Sequence, residues 1–369
     1  MNEFLKPIKD QLAAVANYDI NEHYLHNKFP KEAWDFVMKN IIAHLNIDGT
    51  ESPNGLEVCQ TFEALGYACS DGGLSFAIGA QTLAATIPFA LYATDEQKEK
   101  YLAKMLNGEL ICANAITETE AGSDIFSMRS RAEKQAGNYL LNGTKTFCSN
   151  IREANMALVY LVSDQEKGAH GGITVFIVDA PNFKTGQTFS KMGLRTCSIG
   201  ELILENTVVG KTSMLGEEGA GLGIFTTAMD WERIGLSAMY VGTMQRLFEQ
   251  AVTYSKNRVQ GGTPIGKHQA VSHKIAEMKT HIHACRLMVY DAAAKLGKER
   301  SVSELASMCK LFVSEHYINV CEQVMQIHGG NGYMEDYEIE RCLRDAHAST
   351  IYSGTSEIQK NIIARWSGL

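Results

Sequence analysis

The chain has 369 residues, 45% of them hydrophobic and 21% charged, with a formal net charge of −8. That length exceeds one ordinary core and suits two or three packed units, and the balance is that of a globular chain rather than a disordered one. The acidic surplus, with no Lys/Arg stripe interleaved with aromatics, argues against general nucleic-acid binding. We expect no membrane span, because the apolar runs break short of one, and residues 1–10 lack the apolar core of a secretory signal.

From Asn2 to about Gly108 the apolar spacing predicts helices. Thr94-Asp-Glu-Gln97 offers a capping box before Lys98-Glu-Lys-Tyr-Leu-Ala-Lys-Met-Leu106, and Gly108 a stop. Between Leu110 and about Leu215 the pattern shifts to short β-rich runs: 111–116, 139–142, 156–162, 173–178 and 201–204. Turn-formers such as Ala136-Gly-Asn138 and Gly171-Gly172 separate them, which predicts a compact antiparallel β unit. After residues 216–223 the chain returns to helix. Segments 225–259, 269–296 and 302–327 repeat apolar residues every three or four positions, Ser301-Val-Ser-Glu304 reads as a cap for the third, and 345–366 completes a four-helix bundle. The fold class is therefore α+β: an N-terminal helical domain (1–109), a central antiparallel β domain (110–217) and a C-terminal helical bundle (218–369).

Nine cysteines are scattered, with no Cys-x-x-Cys pair, which fits reduced thiols and a cytoplasmic location. Gly219, Gly221 and Gly223 miss the spacing of a dinucleotide loop and follow no strand. There is no P-loop, no G-x-S-x-G elbow and no His-Glu-x-x-His. Of His281, His283 and Cys285, only the first and last share a helix face, so packing explains them better than a metal does.

Three polar, glycine-bearing segments stand out: Ala115-Ile-Thr-Glu-Thr-Glu-Ala-Gly-Ser-Asp124, Gln326-Ile-His-Gly-Gly-Asn-Gly332 and Ile351-Tyr-Ser-Gly-Thr-Ser-Glu-Ile358. Each is flanked by regular structure and suited to bring backbone N–H groups and hydroxyls against a polar cofactor edge or phosphate. Together with the helical, β, helical order, they resemble the acyl-CoA dehydrogenase family over nearly the whole length. The first is similar to the family's Thr-Glu-Pro-x-Ala-Gly-Ser-Asp motif, with Thr119 for proline. Leu141-Asn-Gly-Thr-Lys-Thr-Phe-Cys-Ser-Asn150 resembles Asn-Gly-x-Lys-x-Trp-Ile-Thr-Asn, with Phe147 for tryptophan and Ser149 for threonine. Lys191-Met-Gly-Leu-Arg-Thr-Cys-Ser198, Glu232-Arg233, Arg258 through Gln269, Glu340-Arg-Cys-Leu-Arg-Asp345 and Gly354-Thr355 match in order as well.

The resemblance implies FAD, held by Thr117, Gly122, Ser123, Phe147 and Ser149 from the β domain and by Thr355 and Ser356 from the C-terminal side. It further implies that Arg258, Gln269, Gln326, Gly329 and Gly330 reach the cofactor of a neighbouring subunit, so a homodimer or homotetramer is expected. Ser123, Asp230 and Arg233 fall where the family contacts its acyl thioester, and an electron-transferring flavoprotein is the expected acceptor. Gly261 stands where many relatives have phenylalanine.

Desaturating an acyl thioester needs a carboxylate to take the α-proton. The family's common base is a glutamate just before Gly-Thr, and here that position is Ser353, whose hydroxyl is too weak a base. A minority of the family uses a glutamate preceding an arginine on the long bundle helix, which here is Glu232. The expected function is FAD-dependent α,β-dehydrogenation of an acyl thioester carried on CoA or an acyl carrier protein. The alternatives are a flavin oxidase or monooxygenase on the same scaffold, and a flavin- or acyl-binding homologue without a working base.

Overall fold

The computed structural model describes residues 18–299 and 301–369. The start of the expected N-terminal helical run, and residues 1–10 with it, lie outside that range. Within it, short helices α1 (Ile20–Leu25) and α2 (Lys31–Asn40) lead to α3 (Gly55–Ala68) and to the continuous apolar helix α4 (Gly72–Tyr92), followed by α5 (Asp95–Leu106). The capping box is present: the Thr94 side chain accepts from the Gln97 N–H, and the Gln97 side chain answers at the Thr94 N–H. Helix α4 is long and apolar enough to cross a membrane, but 94% of its apolar window is buried inside the protein, as in a core helix. Its central stretch, Ala80–Thr86, is a π-helix. There the Gln81 side chain donates to the Met105 and Leu110 carbonyls and accepts from the Cys112 N–H, which ties the helical layer to the first strand.

Strands β1 (Cys112–Ala115), β2 (Arg131–Gln135), β3 (Asn138–Ser149), β4 (Met156–Val162), β5 (Ile173–Asp179), β6 (Lys184–Thr188), β7 (Ile199–Val209) and β8 (Met214–Leu215) form one sheet, ordered β6-β7-β3-β2-β4-β5-β8 with β1 beside β4. The sheet is mainly antiparallel, but β1 pairs with β4 in parallel, and β2 touches β4 in parallel through Arg131 and Val162. Three strands, β2, β6 and β8, escape the sequence pattern. The first two are mostly exposed and polar, so they lack the apolar alternation that marks a half-buried strand.

The bundle consists of α6 (Gly221–Asn257), α7 (Gln269–Lys295), α8 (Ser303–His328), α9 (Gly330–Tyr333), α10 (Ile339–Ala348) and α11 (Ser356–Trp366), with a two-residue hairpin between β9 (Val259–Gln260) and β10 (Thr263–Pro264). Two expectations need correction. The expected helix over 345–366 is two helices, α10 and α11, parted by a turn in which Ser353 and Gly354 have φ +54 and +89. Ser301 does not cap α8: its N-cap is Val302, with no side-chain cap hydrogen bond.

Close helix crossing fixes where α6 lies. A Cβ on Gly66 would stand 1.9 Å from the Met239 carbonyl oxygen, and one on Gly242 would stand 2.0 Å from that of Glu63, so α3 and α6 touch backbone to backbone through paired glycines. Glu63 then accepts from Arg286 Nε at 2.9 Å and Tyr290 Oη at 2.6 Å, which joins α3 to α7. One apolar core runs through the helices and one face of the sheet, and a second fills the sheet's other side around Leu141, Cys148, Phe176 and Leu202.

Candidate active site

Near the start of α6, Asp230, Glu232 and Arg233 are all buried, at 7%, 8% and 6% exposure. Their side chains are divided among neighbours. Asp230 accepts from Ser303 Oγ at 3.0 Å, while its other oxygen is buried with no partner. Arg233 Nε donates to the Ser353 carbonyl at 3.0 Å, and Gln359 Nε2 donates to the same carbonyl and to that of Gly354. The turn at 353–354 is thereby pinned against α6, and its left-handed backbone is held from two sides.

This pinning brings the two family positions for a base into one place. The Ser353 hydroxyl is buried and completes no hydrogen bond within the protein. It stands beside the Glu232 carboxyl, whose pKa burial pushes up to about 7, while Ser353, Arg233 and Lys310 pull it the other way. A carboxylate raised to that range is suited to accept and hold a proton near neutral pH. Asp230 is likewise raised, to about 6, by burial.

The sheet carries a separate shelf of expected residues. The Thr146 N–H donates to the Thr117 carbonyl at 2.8 Å, which sets Thr117 next to Phe147. Phe147 takes φ +55 at an irregularity of β3 and is 64% exposed, with the Phe189 ring tilted against it at 5.4 Å. Gly122 has nothing within 4 Å of where a Cβ would be, and Ser123 beside it is exposed; Ser149 is half-buried. Below the shelf a buried ion pair holds the loop. Lys145 Nζ donates to Glu118 Oε1 at 2.7 Å and to the Ile116 carbonyl at 3.0 Å, and Glu118 also accepts from the Arg129 and Ser130 N–H groups. Burial pushes Glu118 up, but Lys145 and these donors outweigh it and hold the carboxyl below its ordinary range. Thr355 caps α11 by accepting from the Ile358 N–H, and Ser356 opens that helix.

The remaining expected cofactor residues lie elsewhere. Arg258, Gln269, Gln326, Gly329 and Gly330 gather at the opposite end of the bundle, all of them exposed. The Arg258 carbonyl accepts from the Ile265 N–H, and Tyr254 Oη, near the end of α6, donates to the His328 carbonyl at the end of α8. Gly329 and Gly330 have open space where a Cβ would sit. Gly261 and Gly262, with φ +59 and +77, make the two-residue turn of the β9–β10 hairpin, which explains the missing phenylalanine: a turn with positive φ at both positions favours glycine. About 37 Å of helix separates Glu232 from Asn257 at about 1.5 Å per residue.

Family models described as the acyl-CoA dehydrogenase N-terminal, middle and C-terminal domains match residues 2–109, 113–207 and 219–368. The chain belongs to the acyl-CoA dehydrogenase family. Within it, the chain is 37% identical to the L-prolyl-[peptidyl-carrier protein] dehydrogenase of Pseudomonas fluorescens, over 96% of this chain and 93% of that one. The crystal structure of the prolyl acyl carrier protein oxidase AnaB superposes with a TM-score of 0.94 at 36% identity, covering 100% of both chains. A structure of PigA with FAD and proline gives 0.94 at 32% identity, over 100% of this chain and 98% of that one.

Some groups around Glu232 in this acyl-CoA dehydrogenase family member escape a motif search. Tyr160, on β4, has a buried hydroxyl without a partner; burial, then Tyr92, Cys112 and Glu232 nearby, push its pKa up. Lys310 and Ser307 on α8 also carry buried polar atoms that meet no hydrogen-bond partner. The available signal was their register: Ala306, Cys309, Lys310, Val313 and Tyr317 recur at three- and four-residue spacing along one buried stripe, where a lysine is out of place. Among the described residues no group of three or more metal-ligating side chains occurs, and the Cys285 thiol is buried.

Proposed function

We propose that this protein is a flavin-dependent dehydrogenase that oxidises an acyl thioester to its α,β-unsaturated form, with Glu232 as the base. The single observation that carries the reading is the buried Glu232 carboxyl, raised to about 7, beside a small, unpartnered Ser353 at the family's usual base position. The residues present fit FAD. The exposed aromatic face of Phe147, the open backbone at Gly122 and the hydroxyls of Thr117, Ser123 and Ser149 make a donor-rich shelf, and Thr355 and Ser356 open a helix N-terminus toward the C-terminal side. When bound, FAD supplies the acceptor for the β-hydride.

The chain's own residues do the rest. Glu232, as a carboxylate, takes the α-proton and becomes the neutral acid, a form that burial favours. Arg233 fixes the 353–354 turn through the Ser353 carbonyl, and the small Ser353 side chain leaves room for the thioester. Asp230 and Ser123 are the further residues assigned to contact the substrate. Burial of all three α6 side chains keeps water away from the proton transfer.

Two of the relatives named above, the Pseudomonas fluorescens dehydrogenase and AnaB, are named for prolyl groups on carrier proteins, so a carrier-bound aminoacyl thioester is the substrate to try first, with acyl-CoA as the comparison. Tyr160, with an unpartnered buried hydroxyl, suits an acyl group that bears a polar atom better than a plain hydrocarbon chain. About 37 Å of helix lies between Glu232 and Asn257, and this separation supports a role for Arg258, Gln269 and the 326–330 segment at the FAD of a second copy, in a homodimer or homotetramer. All nine cysteines are free, which agrees with a cytoplasmic protein.

The test is an anaerobic titration of the purified yellow protein with prolyl-carrier, acyl-carrier and acyl-CoA thioesters. Bleaching of the flavin band by one class identifies the carrier; bound flavin that no thioester bleaches would leave only a binding role. The name of AnaB favours a second reading, an oxidase. Reduced protein that reoxidises fast in air, without an electron-transferring flavoprotein, would select it.

A further inference from the structure

Past Glu232, the face of α6 that carries it runs straight into α4. Gly235 and Leu236 lie three and four positions on, one turn along the same face, about 5.4 Å away. There the two helices interlock. A Cβ on Gly235 would stand 2.6 Å from a methyl carbon of Leu83 on α4, and one on Gly79 of α4 would stand 2.5 Å from a methyl carbon of Leu236. Each leucine therefore fills the groove left by the other helix's glycine, and both leucines are buried. Phe62 of α3, also buried, comes within 3.7 Å of the same Cβ position at Gly79.

A second contact stands beside the 353–354 turn. One turn before Gly79 on α4, the buried Phe76 ring packs against the Tyr352 ring at 4.7 Å. Tyr352 leads into the turn that Arg233 ties to α6. Asp230, assigned to the substrate thioester, precedes Glu232 on α6, so an acyl group whose α-carbon faces Glu232 runs on toward Gly235 and Leu236. At about 1.5 Å per carbon–carbon bond, one turn of helix covers about four bonds, and the width of a terminal methyl group takes up part of that reach.

We propose that the acyl pocket ends at the Leu83–Gly235 and Leu236–Gly79 contacts, so that the substrate is the thioester of a compact acyl group of about four or five carbons. A short branched chain or a small ring keeps its atoms close to the α-carbon and fits. An octanoyl chain would have to part α4 from α6 and break the packing of both leucines. The inference rests on Glu232 being the base, and it holds for either carrier.

The experiment presents butyryl, prolyl, octanoyl and dodecanoyl groups, each on CoA and on a carrier protein, and follows anaerobic reduction of the bound flavin. Butyryl or prolyl thioester should reduce it roughly a hundredfold faster than octanoyl, with dodecanoyl inert. Leu236→Ala opens the floor from α6 and Leu83→Ala opens it from α4; in each variant that folds with its flavin, the octanoyl-to-butyryl ratio should rise about tenfold. Titrating Glu232→Gln with the same thioesters, read by the shift of its flavin band, measures occupancy without turnover and should show the compact groups binding and the long ones not. Octanoyl reducing or binding as well as butyryl in protein with the native leucines overturns the inference, and so does an unchanged ratio in both leucine variants. If Glu232→Gln reduces at the wild-type rate, or no thioester reduces the wild-type flavin, the proposed function fails instead, and the band shift alone decides where the pocket ends.

Discussion

The two ends of the bundle differ in kind. At one end Asp230, Glu232, Arg233 and Lys310 are buried, and polar atoms of Asp230, Lys310, Ser307 and Ser353 lack partners. At the other, Arg258, Gln269, Gln326, Gly329 and Gly330 are exposed, with open space around the two glycines. Burying unsatisfied polar groups costs stability, so on the proposed reading the first end is where the fold gives up stability for chemistry. The second end costs the single chain little, because its polar groups stay in water until something binds them. The comparison separates a reacting end from a holding end.

The largest stability effect expected concerns the support beneath the reacting end. Replacing Lys145 by methionine leaves the Glu118 carboxylate buried with only backbone donors, and breaking a buried pair from one side costs about 3–5 kcal/mol. Urea denaturation should register that loss, and flavin should be released more readily as the 117–123 loop loosens. A normal midpoint with full flavin would mean the shelf does not depend on the pair.

A smaller effect tests whether Glu232 costs stability where it stands. Its folded pKa of about 7 lies above the ordinary 4.5, so the unfolded chain loses the proton first. Stability from this group is full below about 4.5, declines as pH rises toward 7, and is lowest above it, by about 3 kcal/mol at most. Glu232→Gln should therefore melt higher than wild type at pH 8 and close to it at pH 4.5. Equal melting points at both pH values would mean the carboxyl is more hydrated than its burial implies.

The smallest expected effect separates the ends. Arg258→Ala removes a charged donor from the holding end, worth about 1.5–3 kcal/mol if it meets a phosphate, so FAD affinity should fall roughly ten- to hundredfold. The rate of reduction of flavin that remains bound should be unchanged. A slowed rate at full flavin occupancy would break the division.

The helix and strand order could be read in advance because long amphipathic helices and buried apolar strands announce themselves by period. Strands β2 and β6 could not, being polar and mostly exposed. The break between α10 and α11 falls at the polar, glycine-bearing 351–358 segment, through which the helical reading runs. In the site, Glu232 was findable because a motif names it and Ser353 vacates the usual position. Tyr160 was not, since a lone tyrosine reads as core, and Lys310 was signalled only by its place on a buried stripe of α8; packing reveals that their polar atoms are stranded. The pinning of the 353–354 turn by Arg233 and Gln359 joins residues more than a hundred positions apart, which local spacing does not encode.

The central claim is that the carboxyl at 232 takes the α-proton, and the most direct measurement is the anaerobic single-turnover rate of flavin reduction in Glu232→Gln with its FAD retained. A positioned base contributes about a hundred- to ten-thousandfold, and a loss of that size is the expected result. Reduction at the wild-type rate would contradict the account.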